Sequence, residues 1–321
     1  MSKPLVCVVV PTARPEMMDG FTAVWDDLFC RHNVVLVVVY DDAVRPAIAA
    51  TTYGDHAGRP FPDPPTYDAY RHLIYRRTDS VRNLGFLYAA RLRADYVLTL
   101  DDDVAPIGDP IADHLGVMGK RVSTSWMNTA QCDLRLRGVP YSVRGEATVH
   151  VSHGVWEGTP DFDGLTQLAL ERGAGVPRTL PYYEGPVPAA VRFPVCGMNL
   201  MVSREALPFA YFAPMGPDTG LNLHRFGDIW MGVEMQGRLR HAGGAIYTAA
   251  ARVMHTRASD ALKNAQAEEL GAAWNEMLYG RDRSRWPDAL VTYRDAWTRK
   301  RLLFKSEIRR LYEDHPYAVE G

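Results

Sequence analysis

The chain has 321 residues, 47% of them hydrophobic, and a formal net charge of -2, enough to bury the core of one large α/β domain or of two smaller ones. Near-neutrality removes the electrostatic case for nucleic acid as a partner, and no run approaches the roughly twenty apolar residues of a transmembrane segment. No secretory leader precedes Leu5, and Cys7, Cys30, Cys132 and Cys196 are scattered without a CxxC pair, so the expectation is a cytoplasmic protein with reduced thiols.

In chain order, Leu5 to Val10, Val34 to Tyr40, His72 to Tyr75 and Tyr96 to Leu100 are short runs of strand character. Glu16 to Cys30 and Ser80 to Arg93 between them have helical periodicity. This alternation predicts a Rossmann-like, mostly parallel central sheet flanked by helices. The Pro- and Gly-rich stretch from Asp41 to Tyr70 reads as a loop within that unit, because the alternation resumes beyond it. Further on the pattern becomes irregular, with Gly/Pro-rich loops between Gly138 and Pro194. A polar strand follows at Asn199 to Ser203, then helices at Arg204 to Phe212 and Asp228 to His241, an arrangement expected of an acceptor-side wall built onto the sheet. The last element, from about Pro287 to Asp314, reads as a basic amphipathic helix with Trp297, Leu302, Leu303, Ile308 and Leu311 interleaved. The expected division is therefore a catalytic unit over 1–280 and a helical tail over 281–321, docked with its basic face solvated, with homo-oligomer or membrane-surface contact as the alternatives.

Asp101-Asp102-Asp103 ends the fourth apolar run. Adjacent carboxylates repel, and residues two apart on an extended segment point the same way, so Asp101 and Asp103 could share a hard divalent cation such as Mn²⁺ or Mg²⁺. A strand end followed by a capped polar turn is the alternative. Neither a P-loop nor a strand-anchored G-x-G-x-x-G occurs, and G-x-S-x-G and H-E-x-x-H are absent too. Acids at a strand end without a glycine loop are typical of GT-A-type sugar-nucleotide transferases, in which a metal and side chains hold the diphosphate.

The segments Val9-Pro11-Thr12-Ala13-Arg14, the Asp triplet, Arg137 to Arg144, Ser152 to Trp156, Pro160 to Asp163, Cys196 to Leu200 and His255 to Ser259 together resemble the reversibly glycosylated polypeptide family, which includes the plant UDP-arabinopyranose mutases. The resemblance covers about residues 5 to 280. It implies a protein that uses UDP-sugars with a divalent metal and no flavin, and that is reversibly glycosylated on arginine. By position it marks Arg137 as that arginine and Arg144 as its required neighbour. Pro11, Thr12 and Arg14 would line the nucleoside, and Asp42, Asp79 and Arg82 would meet base, ribose or phosphate. Asp102, His153 and Asn199 would contact the nucleotide-sugar, with Asp161 near the sugar as well. His255 would join Asp101 and Asp103 at the metal, and Asp163 and Asp228 would accept the guanidinium proton. Gly227 stands where plant relatives carry the first of two adjacent acids. The activity so implied is interconversion of UDP-arabinopyranose and UDP-arabinofuranose. Stable self-glycosylation, transfer to an external acceptor, and a non-catalytic role in a hetero-oligomer are the alternatives.

Overall fold

The computed structural model describes residues 3–41, 45–58, 60–127, 137–159, 161–173, 181–216, 219–221, 223–256, 260–280 and 283–313. Asp42 lies outside the described residues, as do Cys132, Pro160 and 257–259.

The first strand, β1 (Val6–Thr12), pairs in parallel with β2 (Val34–Tyr40) from Val6 opposite Val34 to Thr12 opposite Tyr40. Both are continuous apolar runs because both faces of the sheet are covered. Side chains alternate between two cores: Cys7, Val9, Val35, Val37 and Val39 enter one, and Val6, Val8, Val10, Val34, Leu36 and Val38 enter the other. Helix α1 (Met18–Arg31) covers the second face with Phe21, Trp25, Leu28 and Phe29. The stretch read as a loop after β2 contains an antiparallel edge strand, β3 (Ala47–Thr52), and a single turn, α2 (Tyr67–Tyr70). Exposed Ala and Thr residues give β3 no apolar signature. His72 to Tyr75, expected as a strand, forms a turn in which Leu73 and Ile74 are buried and the Leu73 carbonyl accepts from the Tyr211 hydroxyl at 2.9 Å. Two adjacent apolar residues buried in a turn imitate a strand in sequence.

Helix α3 (Arg82–Arg91) lies on the first face, buried from Arg82 through Ala90. A Cβ on Gly85 would stand 2.5 Å from Val9 Cγ1, so glycine here sets how closely the helix approaches β1. Next come β4 (Tyr96–Leu100), the edge strand β5 (Val104–Ile107), α4 (Pro110–Val117) and the two-residue β6 (Arg121–Val122). A twelve-residue strand, β7 (Ala147–Gly158), follows within the stretch read as irregular. Its interior carries Ser152 and His153, polar residues that interrupt the apolar pattern yet are buried and hydrogen-bonded.

The remaining elements are α5 (Gly164–Arg172), the short β8 (Gly185–Pro186), β9 (Asn199–Ser203), α6 (Gly227–His241), β10 (Gly244–His255), α7 (Ala261–Tyr279) and α8 (Asp288–Glu313). The expected helix at Arg204 to Phe212 is a turn followed by a 3-10 segment, Leu207–Phe209, broken by Pro208. Strand order is β3-β2-β1-β4-β9-β7-β10-β5. β1, β2, β4, β7 and β10 run in one direction; β9 is the reversed interior strand, paired antiparallel to both β4 and β7. The sheet is therefore mostly parallel along its main strands, flanked by helices, and consistent with a GT-A-like fold. The carboxyl ends of β1, β4, β7 and β10 form one edge, which carries Thr12, Asp101, Thr159 and His255. Helix α8 contributes Tyr293, Trp297, Phe304 and Ile308 to the same core as α3, while Arg294 and Arg301 converge on Glu234 of α6. No helix among the described residues is long and apolar enough to cross a membrane.

Candidate active site

At the carboxyl edge of the sheet lies a cleft of about 400 Å³, within the size range of small-molecule sites. β4 ends at Leu100, so the Asp triplet occupies a turn, and the alternation expected of an extended segment does not apply to it. The three carboxylates diverge. Asp102 accepts from Thr12 Oγ1 and from the Arg14 guanidinium, and its side chain is only 5% exposed. Asp103 accepts from Arg14 Nη2 at 3.2 Å and lies 3.6 Å from His255 Nε2. Asp101 pairs with the Arg82 guanidinium and faces the cleft, 31% exposed. Burial holds Asp103 above the usual carboxylate range, and the charge of Asp101 adds to the shift. Pro11 is paired with Val39 within the sheet, so Arg14 brings this part of the chain to the triplet through its side chain.

Arg82, at the start of α3, is buried and heavily committed. Besides Asp101, it donates to Thr99 Oγ1 at 2.7 Å and to the Gly197 carbonyl at 3.0 Å. It thereby ties the cleft floor to the segment before β9. That segment delivers Cys196, whose thiol donates to Asp161 Oδ2 at 3.2 Å, and the Gly197 N–H, which donates to Asp228 Oδ2 at 2.9 Å. The donor atoms of Asp161, Cys196 and Asp228 all lie within 4.8 Å of one another. Burial raises the Cys196 thiol pKa, so it stays protonated and serves as a hydrogen-bond donor.

The second carboxylate beside Asp228 is Asp79: the Asp228 N–H donates to Asp79 Oδ2 at 3.2 Å. A Cβ on Gly227 would collide with that oxygen, so the missing acid at 227 leaves the space Asp79 occupies. Desolvation first, then mutual repulsion for Asp228, pushes Asp79 up to about 6 and Asp228 up to about 7. This cluster therefore holds a proton near neutrality.

Asp163, expected as a proton acceptor, caps α5 instead, accepting from Thr166 N at 3.0 Å and Thr166 Oγ1 at 2.6 Å. Those hydrogen bonds lower its pKa, which suits a cap better than a base. Asp161, two residues earlier, is the carboxylate that enters the cluster. His153 and Asn199 lie beneath the cleft, not on its lining. His153 Nε2 accepts from Cys196 N at 3.1 Å, and Asn199 bridges His114, Val155 and Ala251. Burial lowers the pKa of His114 to about 4 and that of His153 to about 3, so both are neutral in the fold.

These shifts oppose one another. Between about pH 6.5 and 4 the unfolded chain protonates both imidazoles and the fold does not, so they reduce stability as pH falls; Asp79 and Asp228 bind protons in the fold before the unfolded chain does and act the other way. The Asp228→Asn variant loses one compensating group. Its stability should fall on acidification from pH 6.5 to 5 more steeply than the parent's, by about 1.4 kcal/mol per pH unit, in urea titrations. Equal slopes would mean that Asp228 ionises normally.

Arg137 and Arg144 do not line the cleft. Arg137 is exposed; Arg144 stacks on Tyr141 at 3.9 Å and donates to the Val139 carbonyl at 2.7 Å. Gly145 abuts Arg121 of β6, which fixes this segment at the amino end of β7, whereas the cleft is at the carboxyl end. Two cleft arginines escape sequence reasoning. Arg77 and Arg225 both have left-handed backbone, φ +56° and +65°, and no motif marks such a conformation at arginine. Arg225 donates to Glu268 at 2.6 Å and reaches within 4.0 Å of Asp161.

Fold and cleft define an α/β protein of GT-A-like architecture with an acidic, arginine-braced site at the carboxyl edge of its sheet. The family model for reversibly glycosylated polypeptides matches residues 1–282, and the chain belongs to that family. It is 31% identical over 301 residues to the probable UDP-arabinopyranose mutase 4 of Arabidopsis thaliana, covering 84% of this chain and 74% of that protein. Over 217 residues it is 31% identical to the probable UDP-arabinopyranose mutase 2 of Solanum tuberosum, and over 215 residues to UDP-arabinopyranose mutase 1 of Oryza sativa subsp. japonica, also at 31%. These last two matches span 63% and 62% of this chain and 57% of each relative's length.

Proposed function

We propose that this protein is a UDP-arabinopyranose mutase that interconverts UDP-arabinopyranose and UDP-arabinofuranose through reversible glycosylation of Arg137, with a divalent cation and without flavin. The observation that carries the reading is kinship over 84% of the chain with a protein named for that activity. The cleft supports it chemically, because its carboxylates can exchange a proton near neutral pH.

The residues fit a hard divalent ion. His255 Nδ1 donates to the Thr159 carbonyl at 2.7 Å, which leaves Nε2 facing an Asp103 oxygen at 3.6 Å. That is the orientation of a metal-ligating imidazole, and a cation between Nε2 and the carboxylate would bind both. Asp103 and His255 would hold Mn²⁺ or Mg²⁺, while Asp101, turned toward Arg82 and the cleft, stands apart from that pair; the protonated Cys196 thiol is a poor donor for either. Bound there, the ion would offset the charge of the departing UDP.

A guanidinium is a poor nucleophile until it loses a proton. Asp228 takes that proton as the bond from sugar C1 to the Arg137 nitrogen forms and the C1–O bond to UDP breaks. The nitrogen lone pair then forms a C=N bond to C1 as the bond from C1 to the ring oxygen breaks and that oxygen takes up a proton; another hydroxyl adds to C1, giving up its proton and returning the electron pair to nitrogen, and the other ring size results. Attack by the retained UDP oxygen on C1 releases the arginine, which recovers its proton from Asp228. Because Arg137 stands at the far end of β7 from the cleft, the reading requires transfer between copies, one supplying the cleft and another Arg137. A homo-oligomer follows as its working form.

Purified protein incubated with UDP-arabinopyranose and Mn²⁺ should yield UDP-arabinofuranose, and chelation should abolish it. Turnover undiminished by chelation would remove the metal from the account, and a stable pentose adduct without furanose would reassign the activity to self-glycosylation.

A further inference from the structure

The cleft is lined by six carboxylates (Asp79, Asp101, Asp161, Asp163, Asp228 and Glu268) and three arginines, Arg77, Arg82 and Arg225. A diphosphate entering it meets predominantly negative charge. Arg82 is paired with Asp101 and Arg225 with Glu268. The Arg77 guanidinium is exposed and makes no hydrogen bond or ion pair among the described residues, beyond a longer-range attraction to Asp41.

The Arg77 backbone is left-handed, a conformation that suits glycine and is unfavourable for a long side chain. It is held there by its own N–H, which donates to Asp41 Oδ2 just beyond the carboxyl end of β2. Asp41 Oδ1 is buried without a partner among the described residues. Among the described residues the Arg77 side chain adds no contact that would offset this backbone, whereas a guanidinium left open in an acidic cleft is suited to a phosphate ligand.

We infer that Arg77 is the anion-binding residue of the cleft, its guanidinium reserved for the diphosphate of the nucleotide-sugar and aimed by the Asp41 contact to its backbone. The inference rests on the nucleotide-sugar reading for the identity of the ligand, but the anion site can be tested without it. Calorimetric titration with inorganic pyrophosphate, UDP and uridine, each with Mg²⁺, compares the parent protein with Arg77→Gly and Arg77→Lys. The glycine variant should melt no lower than the parent, since glycine accepts this backbone, yet bind pyrophosphate and UDP at least about tenfold more weakly with uridine affinity unchanged. Arg77→Lys should recover part of the loss. Equal pyrophosphate binding by parent and Arg77→Gly, no pyrophosphate binding by the parent, or equal loss of uridine and UDP would each overturn the inference. Pyrophosphate binding that depends on Arg77, with no binding of UDP, would uphold it and refute the nucleotide-sugar function instead.

Discussion

The Asp228→Asn protein is expected to turn over about 10³-fold more slowly than the parent while binding UDP with affinity within a few-fold. Asparagine keeps the size of the side chain, and its amide oxygen can still accept from the Gly197 or Ile229 N–H, both of which donate to Asp228 at 2.9 Å. Its NH₂ can face Asp79 favourably, because the carboxylate there no longer meets a second acid. What disappears is a group with a pKa pushed up to about 7, matched to giving and taking a proton at neutral pH. Positioned acid-base groups contribute typically about 10² to 10⁴ in rate. Steady-state kinetics should therefore show the loss in kcat with little change in KM. A loss of UDP affinity as large as the loss of rate would assign Asp228 to binding and leave the proton transfer without its acceptor.

Two inactive proteins should restore each other. Arg137→Ala retains the cleft and should bind UDP, but it has no acceptor and should neither take up label from radiolabelled UDP-arabinopyranose nor isomerise it. Asp228→Asn retains the exposed arginine but lacks the base. Mixed, the Arg137→Ala cleft should glycosylate Arg137 on the Asp228→Asn chain, and label should appear on that chain alone. The expectation comes from topology: β7 runs from Ala147 to Gly158 between the arginine segment and the cleft, a span of about 36 Å at roughly 3.3 Å per residue. Failure of the mixture, with the parent protein labelled normally and the variants shown to assemble together, would place the transfer within one chain.

The parallel core is legible because β1 and β2 are apolar on both faces, a pattern that the loops and the tail helix do not share. β9 is found as a short strand with polar ends, although its reversed direction is not legible, since direction depends on connections rather than composition. β7 is missed where its interior is polar: Ser152 meets His114, and His153 Nε2 accepts from the Cys196 N–H, partners far away in sequence. At the site, the triplet lies at the carboxyl edge, but its geometry cannot be read from sequence, because a turn sends Asp101, Asp102 and Asp103 to different partners. Asp163 is an acid in a suggestive segment, and the start of α5 claims it as a cap. Asp79 beside Asp228 is hidden because it is the emptiness of Gly227, not any side chain of the motif, that brings the two acids together. Arg77 carries no signal at all, since its conformation depends on a contact with Asp41 thirty-six residues earlier.

The most direct measurement follows both products of one reaction in time. Parent protein is incubated with UDP-arabinopyranose and Mn²⁺, quenched at intervals, and analysed for nucleotide-sugar isomers and for added mass on the peptide containing Arg137. The account predicts a pentose adduct on Arg137 that forms before UDP-arabinofuranose and turns over at least as fast as the furanose appears. Furanose produced with no adduct at Arg137, or produced equally well by Arg137→Ala, would contradict it.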